Sequence, residues 1–132
     1  LFIGDSGGNQ RGMGRVAQTL TAQWDGAPGV IHVPEYYRAP PGTPNVLRDL
    51  GVTNENMPRD GLHDGVGITL NMMLDAPSSV RWAERVKTDQ AVINGVSVAD
   101  LGRALELGKL VSAARAQRTA EVIRDRIADR KP

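Results

Sequence analysis

The sequence predicts an α/β fold with a small, mostly parallel sheet, on three observations. The apolar run Leu1-Phe2-Ile3 passes directly into Gly4-Asp5-Ser6-Gly7-Gly8-Asn9, as a buried strand passes into a polar turn. A helix-periodic segment follows, and then a second β-branched run, Val30-Ile31-His32-Val33, stopped by Pro34. The later segments read as helices and loops, which gives the order β-α-β-α-loop-α-α.

Each element has a local reason. Residues 12–24 form the first predicted helix, with Met13, Val16, Ala17 and Leu20 on one face. Asp25-Gly26-Ala27-Pro28-Gly29 is a turn cluster. After the second strand, Ala39-Pro40-Pro41-Gly42-Thr43-Pro44 cannot be regular helix. A short helix is predicted from Asn45 to Leu50, ended by Gly51, and a polar loop from Asn54 to Gly61. Thr69 to Leu74 reads as an apolar helix broken by Asp75-Ala76-Pro77. Ser78 or Ser79 can cap another helix over Val80 to Val86. Ala91-Val92-Ile93 reads as a strand before Asn94-Gly95. Ser97 then caps a last helix from Val98 to Ala128. Its predicted buried stripe is Val98, Leu101, Leu105, Leu110 or Val111, Ala114, Val122 and Ile127.

Bulk properties narrow the function classes. The 132 residues allow one modest domain, and 40% hydrophobic against 23% charged content favours a folded chain. A formal net charge of +1 gives no overall basic field for nucleic acid or a membrane surface. With no cysteine there is no disulfide, thiol nucleophile or thiolate metal site. No apolar run approaches the ~20 residues of a membrane span. The chain opens on Leu1 inside an expected strand, so residues 1–132 are read as a single domain forming the C-terminal part of a larger one. The expected compartment is the cytoplasm, or the periplasm if an N-terminal signal has been lost.

Two polar foci carry candidate chemistry. Ser6, on a strand-to-helix turn, is either an exposed nucleophile or a cap for its own turn. Asp60-Gly61-Leu62-His63-Asp64 is the other. Asp60 can orient His63, and His63 can activate Ser6, which gives a triad of catalytic candidates. His63 and Asp64 equally suit acid–base work or metal binding, or lie in a surface turn. His32 alternates with apolar residues and is read as a sheet residue rather than a ligand. Tyr36 and Tyr37 follow a strand end, where they line a pocket or pack. Met72 and Met73 are read as core.

Two family resemblances attach to these residues. Phe2-Ile3-Gly4-Asp5-Ser6 with Asp60-Gly61-Leu62-His63 resembles the first and last blocks of the SGNH/GDSL esterases, which implies a metal-independent serine esterase or amidase. Taken over nearly the whole chain, however, the motifs resemble the C-terminal half of the creatininase (creatinine amidohydrolase) family. Residues 3–10 resemble its strand-end motif, 63–70 its His-Ala-Gly block, and Leu74 to Arg81 its Leu-x-x-Asp-Pro-x-x-Val-Arg continuation. Ile93-Asn94-Gly95-Val96-Ser97 and Ala104 to Lys109 resemble its last turn and helix.

The resemblance implies a three-layer α/β/α fold, often a homo-hexamer, and a zinc or manganese hydrolase of non-peptide amide and cyclic-amide C–N bonds. It implies that His63 assists as acid–base and that Gly7, Gly8 and Asn9 shape the floor that holds a small-molecule substrate. Tyr37 joins them as a substrate-binding candidate. At two of the family's metal-ligand positions this chain has Ser6 and Ile68. Asp5 and Asp64 are the carboxylates close enough in sequence to serve as metal ligands instead. The third class kept open is a non-catalytic subunit that binds a small molecule or serves in assembly.

Overall fold

The computed structural model describes residues 1–40, 42–53, 55–56 and 65–129. Helices make up 61% of the described residues. The elements are α1 (Gly7–Gln23), a 3₁₀ turn (Pro34–Tyr36), α2 (Val46–Asp49), α3 (Val66–Asp75), a second 3₁₀ turn (Pro77–Val80), α4 (Trp82–Lys87), β1 (Val92–Ile93), β2 (Val96–Ser97) and α5 (Leu101–Ala128).

The expected three-layer α/β/α architecture with a mostly parallel sheet does not hold. The sheet has two strands, β1 and β2, paired antiparallel with Val92 opposite Ser97 and Ile93 opposite Val96. The chain's own turn chemistry explains the difference. Asn94 and Gly95 both take positive φ, 50° and 80°, the two-residue turn that folds a strand back on its neighbour. The parallel pairing foreseen between the first and second apolar runs survives as one bridge, Phe2 to His32. Two bonds hold it, Phe2 N–H to Ile31 O at 2.7 Å and Val33 N–H to Phe2 O at 3.0 Å. Pro34 follows at once and opens the 3₁₀ turn, which carries the chain away from the pairing.

Several boundaries also move. α1 begins at Gly7 rather than residue 12, because the Gln10 side chain ties down the turn before it. α3 begins at Val66 rather than Thr69, because Asn94 Oδ1 accepts from Val66 N–H at 2.7 Å. Ser79 does not cap a helix. Its hydroxyl donates to Ala76 O at 2.7 Å, and α4 starts only after Arg81 turns left-handed at φ 54°. α5 begins at Leu101 because Asp100 Oδ1, not Ser97, accepts from Arg103 N–H at 2.9 Å. Val98 instead extends the hairpin by donating to Ala91 O.

The chain divides into two compact units, residues 1–43 with 115–132, and residues 44–114. The second unit holds the larger apolar core. Leu70 and Met73 of α3, Ile93 and Val96 of the hairpin, and Ala104 and Val111 of α5 are buried together with Val66, Ala91 and Val98. Full burial of a side chain such as Leu70 or Met73 contributes about 1.5–3 kcal/mol. Trp82 is partly buried against this cluster, and its indole N–H donates to Val98 O at 2.8 Å. Met73 is core as expected, but Met72 is 48% exposed. Val111 rather than Leu110 joins the buried stripe, and Ile127 is exposed.

The first unit is built on α1, the Phe2–His32 bridge and the second half of α5. Val33, Ala17 and Thr119 are its buried residues. Polar ties do much of the joining. Arg118 Nε donates to Glu35 O at 3.2 Å, and Arg126 donates to His32 O and pairs with the Glu35 carboxylate. No helix among the described residues is long and apolar enough to cross a membrane.

Candidate functional site

The Gly4–Asn9 segment leaves the carboxyl end of the bridged pair at Phe2, and the Pro34–Tyr37 segment leaves it after His32. Because the pairing is parallel, both exits lie at the same end.

Ser6 occupies the N-cap of α1 in extended backbone, φ −133° and ψ 129°, yet its side chain makes no cap hydrogen bond. The residue is exposed. Of the two readings open in the sequence, its hydroxyl is therefore not spent on capping. Gly7 and Gly8 are the first two residues of the helix, so their N–H groups have no intrahelical acceptor. No acidic residue sits in the first turn to oppose an incoming negative charge. Asn9 N–H is engaged, donating to Ser6 O at 3.2 Å.

Tyr37 closes one side. A β-carbon placed on Gly7 would come within 2.9 Å of the Tyr37 hydroxyl, so the phenol runs past the start of the helix only because residue 7 is glycine. Asp5 pairs with Arg115 of α5 at 3.4 Å, a solvent-facing contact of small energy. The Arg115 guanidinium also lies over the Tyr36 ring, 5.3 Å from its centre. Burial, together with the charge of Arg115, lowers the pKa of Arg118.

Gln10 binds the turn from inside. Its amide nitrogen donates to Gly4 O and to Ser6 O, both at 2.9 Å, and its amide oxygen faces His32 Nε2 at 3.0 Å. His32 is a bridge residue, as its alternation with apolar neighbours indicates, but it also belongs to this polar chain. On the flank of α1 lies an open cleft of about 640 Å³, lined by Gly14, Gln18, Thr21, Ile31, His32 and Arg126 among others.

The structure thus brings Asp5, Ser6, Gly7, Gly8, Asn9 and Tyr37 into one unit. Ile68 belongs to the other unit, in the first turn of α3. Asp60, His63 and Asp64 lie outside the described residues. Sequence reasoning missed Gln10 and Arg115. Gln10 sits four residues after Ser6, one helical turn away, and that spacing could have marked it. Arg115 is 110 residues from Asp5 and reads in sequence as one more charge on a solvated face.

The creatininase resemblance would put metal ligands at residues 6 and 68, and the residues there do not suit zinc or manganese. Ile68 has no donor atom, a neutral serine is a poor ligand, and Asp5 is already paired with a guanidinium. Among the described residues, no three His, Asp or Glu side chains converge.

Nothing matches this chain among family models, curated proteins or solved structures. A functional reading therefore rests on the geometry at the start of α1 and on the motif order in the sequence.

Proposed function

We propose that the chain is a hydrolase of a non-peptide amide or cyclic-amide C–N bond, with Ser6 at the reacting centre. One observation carries the reading: Ser6 stands at the N-cap of a 17-residue helix with its hydroxyl exposed and out of any cap bond. A serine there has an oxygen to offer and two N–H groups beside it.

In this mechanism the Ser6 hydroxyl oxygen adds to the substrate carbonyl carbon. Its proton passes to a general base, the role that the sequence motif Asp60-Gly61-Leu62-His63 offers to His63 with Asp60 as its partner. The N–H groups of Gly7 and Gly8 receive the developing oxyanion. The C–N bond then breaks, and the leaving nitrogen takes the proton from His63. Water enters, gives a proton to His63 and its oxygen to the acyl carbon, and releases the acid with Ser6 restored. Tyr37 borders the site and sets the width of the acyl group it admits. The substrate class follows from the ordered resemblance to the creatininase motifs.

Trapping tests the reading. The full chain is mixed with p-nitrophenyl acetate, quenched in acid and peptide-mapped by mass spectrometry. An acetyl group on Ser6, absent from Ser6→Ala and formed far more slowly in His63→Ala, supports it. Hydrolysis of cyclic amides with no adduct, abolished by chelator, would replace it with a metal-bound-water mechanism. No turnover of any ester or amide would leave the binding-subunit class.

A further inference from the structure

Gln10 has a definite chemistry that the mechanism above does not use. Its amide nitrogen meets two backbone carbonyls, Gly4 O and Ser6 O, each at 2.9 Å. Carbonyls accept only, so this end of the side chain must be the NH₂ group, and both its hydrogens are engaged. The other end is then the carbonyl oxygen, and it lies 3.0 Å from His32 Nε2. An amide oxygen cannot donate. His32 must therefore carry a proton on Nε2, which leaves Nδ1 as the acceptor in the neutral ring. Nδ1 points toward Gly14, where a β-carbon would stand 3.4 Å away.

The two carbonyls that Gln10 grips flank Asp5 and belong to the residues on either side of it. One of them is Ser6 itself. With the Ser6 side chain making no bond to the helix, this double grip is what fixes the backbone from which the hydroxyl projects. His32 is anchored in turn by the Phe2–His32 bridge and by Arg126 on its carbonyl oxygen. The Ser6 turn is thus tied through one side chain to the bridged segment at His32.

We propose that Gln10 is the positioning residue of the Ser6 site, oriented by the Nε2–H form of His32. The inference rests on the reading of Ser6 as the reacting group and deepens it. Gln10 touches no substrate. It holds the serine backbone in register with the first-turn N–H groups, and a small displacement there lowers the rate without changing the affinity.

The test uses the full chain and p-nitrophenyl acetate. Gln10→Glu keeps the side-chain length and the acceptor for His32 but cannot donate to either carbonyl, and Gln10→Met loses both functions. The expected result for both is a kcat about 10- to 100-fold lower with KM nearly unchanged. In a Ser6→Ala background, Gln10→Met should cause no further loss beyond about twofold, because it acts through the serine. A full, additive loss in that background overturns the proposal. So does unchanged kcat in Gln10→Glu.

If Ser6→Ala proves fully active, the reading of Ser6 fails on its own, and ¹⁵N NMR decides for Gln10. Loss of the His32 Nε2–H form in Gln10→Met, with faster exchange of the Asn9 amide that donates to Ser6 O, sustains Gln10 as the residue that sets this turn. Both features unchanged overturn that role as well.

Discussion

The side chain of Asn94 accepts a hydrogen bond from the backbone N–H of Val66 at 2.7 Å, so the hairpin turn caps helix α3. Asn94 does a second job in the turn, where φ is 50°, and a third when its Nδ2 donates to Asn56 O at 2.7 Å. These roles separate by substitution. Asn94→Gly keeps the left-handed backbone and loses both side-chain hydrogen bonds, at about 1–2 kcal/mol. Asn94→Ala loses the same two bonds and adds backbone strain, for about 2–4 kcal/mol in all. Urea denaturation of the two variants checks the difference between them.

Two glycines in helices should respond in opposite directions. A β-carbon on Gly12 of α1 meets nothing within 4 Å, so Gly12→Ala should stabilise by about 0.5–1 kcal/mol through helix propensity. On Gly108 of α5 it would lie 2.8 Å from Leu70 O and 3.1 Å from the Leu74 side chain. Gly108→Ala should therefore destabilise by about 1–3 kcal/mol despite the same propensity gain. Thermal melts of both variants give the two signs.

Arg126 joins Glu35 and the His32 carbonyl, and its loss strands the carboxylate. The pair is partly solvated, with side-chain exposures of 36% for Arg126 and 21% for Glu35. Arg126→Met should accordingly cost about 1–3 kcal/mol, less than for a fully buried pair. Adding Glu35→Gln should return part of that loss, and a double-mutant cycle measures the coupling.

Gly7 leaves room for the Tyr37 phenol. Gly7→Ala pushes the hydroxyl aside and should raise KM roughly tenfold, with little change in melting temperature. Tyr37→Phe, which removes the oxygen that the new methyl would strike, should relieve the effect in the Gly7→Ala background. Steady-state kinetics on p-nitrophenyl acetate checks both.

The sequence made the helices legible where periodicity was long. The last helix ends at Ala128 as read, and Met73 is buried as read. It misled where short apolar runs invited a sheet. Val30 to Val33 has strand composition, but Pro34 and the want of further partners among the described residues leave one bridge. Asn94-Gly95 is a strong hairpin signal, and reading it as a mere strand end kept Ala91 to Ile93 as a strand but hid its partner Val96–Ser97 and the cap on α3. Ser97 and Ser79 resemble helix caps in composition, yet tertiary pairing of Val98 and a tight turn at Ala76 used those positions otherwise. At the candidate site, Ser6, Gly7 and Tyr37 were legible because they are local in sequence or at strand ends. Arg115 was not, because only folding brings it to Asp5.

The most direct measurement is the hydrolysis rate of a cyclic amide and of p-nitrophenyl acetate by the full chain and by Ser6→Ala, each in excess chelator. The predicted result is full activity of the unmodified chain in chelator and a fall of at least about 10³-fold in Ser6→Ala. Activity that survives in Ser6→Ala, or that chelator removes from the unmodified chain, contradicts a serine-centred site.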